Sequence, residues 1–364
     1  MRTMRALQAK AFLLCSLVFA SALPTLDAPL DISEWWILGP IPVGTRESGF
    51  DPLWVLGGEE NVALQGDEEI PSYFYPGGSV KLLRVVSKNG EVSGKFEGVD
   101  LDAIAEHWGW AGTISITYAY AEISLPHDTR ALAVAEGVAG FYLNGKPYIG
   151  DVYSHGYLRV PVVLQKGKNR ILLRIGRAYE GFRFIFRLLP ADAPAIILGK
   201  DAFFPSLYEG RRGDFPSAIP VANTFPEWIE NVHLSWGDDD VIQKSSVLLP
   251  PLPPLSITKF PITIRILRNP KPEEIKEKKA SIPAEVSYGP GKSSASITIP
   301  VEEPTAMHRE TFVSRIDGAV GKYGLLFPQP YDPKKKYALI FALHGAGVDE
   351  SLAGSYQPKD WAFV

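Results

Sequence analysis

Hydrophobic and polar positions alternate most regularly in the stretch GTISITYAYAEISL. There Ile114, Ile116, Tyr118 and Tyr120 interleave with Ser115, Thr117 and Ala119. A period of two marks a half-buried strand. RALAVAEG, GFYLNGKPYIGD, GYLRVPVVLQKGKNRILLRIGR and GFRFIFRLL follow, each short, β-rich and closed by Gly, Asn or Pro. Many short strands with turns at near-regular spacing predict an all-β sandwich or jelly roll. Upstream, the apolar clump Trp35-Trp36-Ile37 meets Gly39-Pro40 and Pro42, which predicts a strand running into a tight turn. Asn89-Gly90 predicts a hairpin, because both residues accept the positive φ of a two-residue turn.

A second unit begins near Asp201. In ITKFPITIRILR, Ile262, Ile264 and Ile266 alternate with polar residues, and another strand is expected over 295–299. VLLPPLPPLSI carries too much proline for a central strand and is expected as an extended connector or edge segment. KPEEIKEKK is expected as a solvated loop or short surface helix. After residue 307 the texture changes. Two strand-like pieces lead through PQPYDPKKK into the uninterrupted apolar run 337–343. Such a run suits a strand covered on both faces, as in a parallel sheet flanked by helices. His344-Gly345-Ala346-Gly347 closes it. Backbone amides bared at a glycine turn of this kind can hold the anionic oxygen formed at an attacked carbonyl.

Composition narrows the classes. The 364 residues carry a formal charge of −4 with scattered Lys and Arg, so no basic footprint for nucleic acid is present. Arg2, Arg5 and Lys10, then AFLLCSLVFASAL and the small-residue site Ala20-Ser21-Ala22, read as an export signal over 1–22. The chain is therefore expected outside the cytoplasm, periplasmic or extracellular, with no transmembrane span after cleavage. The single cysteine, Cys15, lies inside that signal, so no disulfide, thiolate nucleophile or cysteine metal site is expected. Asp238-Asp239-Asp240 lacks the spaced ligands of a calcium loop and is expected as a surface turn. The six histidines show no zinc spacing, and neither metal nor cofactor is expected.

Trp108 and Trp110 in EHWGWAG, with Tyr153 and Tyr157 in DVYSHGY, are candidate glycan contacts, since aromatic faces take up the apolar faces of sugars. The competing reading makes them core or interdomain filling.

Two resemblances organise these observations. FYLNGKPYIGD with VPVVLQKGKNRILLRI resembles the jelly-roll, galactose-binding-like domains that accompany many secreted hydrolases. It extends over 30–189 and implies turns at Asn144-Gly145-Lys146 and Gly167-Lys168-Asn169. RIDGAVGKYGLLFPQPYDPKKKYALIFALHGAG resembles the start of prolyl-oligopeptidase-like (S9-type) α/β-hydrolase domains, over 307–364. That resemblance implies a serine peptidase or esterase acting on a small peptide or ester. Gly345, Ala346 and Gly347 would form its oxyanion hole, and His344 would orient the turn. A Gly-x-Ser-x-Gly elbow is missing from the chain, so the catalytic domain is expected to be truncated and this chain inactive alone. The expected architecture is multidomain and mainly β. It comprises the signal (1–22), a jelly roll (23–200), an Ig-like sandwich (201–303) and the first strands of an α/β-hydrolase sheet (304–364). The alternative is a non-catalytic secreted carbohydrate-binding β-sandwich protein.

Overall fold

The computed structural model describes residues 23–44, 51–176, 181–345 and 348–364. The expected export signal, Ala346 and Gly347 lie outside the described residues. The chain is mainly β and builds several antiparallel sheets around separate cores.

The first two sheets, of five and six strands, enclose one core between them. Strand Ser115–Leu125 lies inside the six-stranded sheet, between Gly167–Ile175 and Glu34–Pro42. Its small residues face the partner sheet: Ala119 and Ala121 pack in the inter-sheet core beside Phe182, Phe184 and Phe186. The bulk comes from elsewhere, with Trp35 set edge-on to Phe184 at 5.3 Å and to Phe186 at 5.7 Å. Ile116, Tyr118 and Tyr120 point the other way, into a second core with Leu53, Val62, Leu64, Ile70 and Val80. The strand is therefore buried on both faces from Ser115 to Ala121. The half-buried expectation fails because an excursion of the chain over residues 51–82 covers the outer face. Each apolar side chain fully buried there contributes about 1.5–3 kcal/mol.

The turn signals resolve in instructive ways. Glu34–Pro42 does not stop at Gly39-Pro40; its pairing with Ser115–Leu125 skips register between Leu38 and Ile41. Gly39 is required there, at φ 151° and with any Cβ only 2.7 Å from Thr117 Oγ1. Asn89-Gly90 does form a tight turn, bridged by Lys88 and Glu91. The strands on either side nevertheless join different sheets, Leu83–Val86 in the six-stranded one and Glu91–Lys95 in the five-stranded one. Asn144-Gly145 joins Gly140–Leu143 to Lys146–Ile149 as expected. Asn169 is not a turn residue: it is fully buried in strand Gly167–Ile175, with its amide on Gln165 O at 2.8 Å.

Beyond residue 195, a three-stranded and a four-stranded sheet close over a third core. Ile262, Ile264 and Ile266 are buried in it, as their alternation implies. Ser245–Leu248 is an edge strand leading into the proline segment, and Pro272–Glu277 is a short surface helix. His308–Val313 and Val320–Leu325 form a hairpin. Run 337–343 is not the covered strand expected of it. Only Ala338–Leu339 pairs, in parallel with Ala362–Phe363, and Leu339, Phe341 and Leu343 are 57%, 82% and 94% exposed. Among the described residues no helix is long and apolar enough to cross a membrane.

Candidate functional site

The excursion that covers the six-stranded sheet also carries a short 3-10 turn, Trp54–Leu56. Leu53 is fully buried in the outer core and pins this turn down. The chain direction then throws Trp54 outward, 79% exposed. Asp51 holds the base of the loop, its carboxylate accepting from Leu53 N at 2.9 Å and Glu59 N at 3.0 Å. Residues 57–61 pack against the Asn144-Gly145 turn so closely that a Cβ on Gly145 would sit 2.4 Å from Glu60 O. Arg170 Nη1 ties the end of the loop to the sheet, donating to Asn61 O at 2.7 Å and Val62 O at 3.1 Å.

Between this loop and the sheet lies a cavity of about 430 Å³, lined by Asp51, Trp54, Glu59, Glu60, Tyr142 and Arg174 among others. A neighbouring cavity of about 410 Å³ shares Tyr142 and Arg174 with it and runs on past Pro147 and Tyr148. Tyr148 is paired with Phe141, stacks on it at 5.0 Å and belongs with the inter-sheet core, on the opposite face from Tyr142, so the groove proper is the cavity beside Trp54. At its floor Glu59, almost fully buried, accepts from Tyr142 Oη at 2.6 Å and from Tyr118 Oη. Arg174 Nε lies 3.8 Å from the same carboxylate. Burial, and then the Glu59 carboxylate, push both phenols well above the ordinary tyrosine pKa, so they stay protonated donors. The floor is a fixed polar surface, and the exposed ring is the rim.

The four sequence candidates fall elsewhere and in two places. Trp108 ends helix Leu101–Trp108 and Trp110 opens the next turn, 65% and 56% exposed. Trp108 lies 6.5 Å from the ring of Tyr73, whose hydroxyl donates to Gly112 O. Tyr153 and Tyr157 flank His155, at 5.8 Å and 5.3 Å between ring centroids. Neither pair lines the groove. Trp54 was the residue missed. Its only signal was a tryptophan between Asp51 and the polar run Gly57-Gly58-Glu59-Glu60-Asn61, and composition alone does not say which way it points.

His344 is exposed, with Nδ1 3.1 Å from Gly345 O. Gly345 has open space around it, while Ala346 and Gly347 are outside the described residues. In Asp238-Asp239-Asp240, Asp238 Oδ1 accepts from the amides of Asp240, Val241 and Ile242, which is turn chemistry.

No family model matches the chain and no curated protein matches it. Solved structures do. A calcium-binding mutant of Bacteroides uniformis β-glucuronidase 2 is 12% identical at TM-score 0.29, over 64% of this chain and 31% of that one. The β-D-mannosidase from Dictyoglomus thermophilum is 11% identical at TM-score 0.34, over 86% and 40%. Parabacteroides merdae β-glucuronidase with glycerol in its active site is 13% identical at TM-score 0.34, over 83% and 37%. The chain thus spans 31–40% of the length of these structures. Likeness this loose assigns no activity. It does correct the serine-hydrolase expectation, since these structures are β-glucuronidases and a β-mannosidase, not prolyl-oligopeptidase-like α/β-hydrolases. The apolar run that carried that expectation is exposed and flanked by no helical layer among the described residues. The peptide or ester substrate falls with it; of the expected oxyanion turn, His344 and Gly345 are described, and Ala346 and Gly347 lie outside the described residues.

Proposed function

We propose that this chain is a non-catalytic, exported carbohydrate-binding β-sandwich protein whose groove beside Trp54 takes the glycan. The observation that carries the reading is the indole of Trp54, 79% exposed at the rim of a polar cavity. An exposed ring costs hydration unless something covers it, and a sugar offers a C–H face to the ring and hydroxyls to the floor. The groove contains carboxylates, but both of the inner ones are committed. Asp51 is spent on backbone amides, and Glu59 on two phenols. Neither is set to donate or accept a proton across a glycosidic bond, so binding without turnover follows.

Trp54→Ala tests this. Titration calorimetry against a panel of oligosaccharides should show a loss of about tenfold or more in affinity, the size of one ring contact. The thermal midpoint should stay in place, because the ring is not part of a core. A panel that binds no better to the native chain than to Trp54→Ala would end the reading.

A further inference from the structure

The charge around the groove selects among sugars. Three carboxylates line the cavity under Trp54, from Asp51, Glu59 and Glu60, against one guanidinium, Arg174. Arg170, beside it, is turned onto the carbonyls of Asn61 and Val62. Asp51 and Glu59 are held by hydrogen bonds inside the floor. Glu60 differs: it is exposed on the wall, and among the described residues it has no ion-pair partner. The local field at the groove is therefore negative, with one carboxylate available to a ligand. A uronate entering here would meet like charge in a partly enclosed site, where screening by water is reduced. An ammonium would meet the opposite.

We propose that the ligand is a saccharide bearing free amines, of the glucosamine type, and that Glu60 pairs with one amine while Trp54 stacks on the ring. This rests on the reading of the groove as a glycan site and adds its charge preference.

The test uses the whole chain and four tetrasaccharides of similar backbone: one of glucosamine, its N-acetylated form, a neutral glucan and a uronate. At about pH 5.5 the amines are protonated. At low salt the glucosamine tetramer should bind about three- to tenfold tighter than the neutral one, the worth of one partly screened ion pair. The uronate should bind more weakly than either. Raising salt to about 1 M should remove most of the advantage. Glu60→Gln should remove it at low salt, and as an exposed isosteric change it leaves the fold intact. Equal binding of amine and neutral forms, or tighter binding of the uronate, overturns the inference and leaves the glycan site standing. Trp54→Ala-insensitive binding, or no binding by any of the four, overturns both.

Discussion

At the scale of single residues the site depends on one buried carboxylate and two phenols from distant parts of the chain. Tyr118 was visible in the sequence as a member of an alternating strand, and its burial follows from that pattern. Its partner Glu59 was not visible, since it lies in an irregular loop 59 positions away in sequence. A pH consequence follows from this contact. Burial, then Glu59, raises the folded-state pKa of Tyr118 and Tyr142 above the unfolded value of about 10. Burial and Glu122 do the same to Tyr120. Stability from these groups is complete below about pH 10, where folded and unfolded phenols are both protonated. Above that the unfolded phenols ionise and the folded ones do not, so stability falls as pH rises. Denaturant titrations across that range should show the fall. Tyr118→Phe should be destabilised by about 1–3 kcal/mol at neutral pH, because Glu59 loses a donor while staying buried, and its alkaline slope should be shallower. An unchanged slope in the variant would place the alkaline loss at other tyrosines.

At the scale of elements the strands were legible and their sides were not. Alternation in GTISITYAYAEISL located a strand, yet the Ile/Tyr side faces the covering excursion and the Ala side faces the partner sheet. Periodicity reports that two faces differ. It cannot say which is covered when both are, and only the large Phe and Trp residues opposite explain why alanine suffices inside. Asn89-Gly90 makes the same point: turn chemistry fixed the reversal but not which sheet each arm joins. Asn144-Gly145 was legible as a turn, but its second role was not. Gly145 is where the groove loop rests, at φ 85° and with Glu60 O in the space a Cβ would fill. Gly145→Ala should therefore act twice. Strain and the clash should cost about 1–3 kcal/mol in chemical denaturation. Movement of residues 57–61 should also weaken glycan binding. Lost stability with full affinity would show that the loop is positioned by Asp51 and Leu53 alone.

At the scale of the whole molecule, apolar content misled where covering layers decide the outcome. The run 337–343 has the composition of a central strand, but burial needs a second surface, and the described chain places none over Phe341 or Leu343. A long-range tie lies instead at a charged residue that no pattern singled out. Arg130, on strand Thr129–Glu136 of the first sandwich, is only 6% exposed. Its Nε donates to Leu23 O at 2.7 Å and its Nη1 to Thr224 Oγ1 at 2.8 Å. Its guanidinium sits 4.2 Å from the centre of the Phe225 ring. Thr224, just past strand Gly213–Asn223, in turn donates to Ala193 O, so one planar cation links the first sandwich to the end of a strand of the second. Interfaces between neighbouring domains are commonly polar and weak enough to come apart before either core does. A buried, hydrogen-bonded guanidinium opposes that, because separating the units would leave its partners' contacts unmade; hydrogen bonds to a charged group contribute about 1.5–3 kcal/mol each. Arg130→Met keeps the stem's volume and removes the link. On heating, the native chain should unfold with the two sandwiches coupled, and the variant's calorimetric trace should separate into two transitions, the first sandwich melting earlier. A single transition, shifted but undivided, would mean that Arg130 stabilises its own sandwich through Leu23 and that the coupling lies elsewhere.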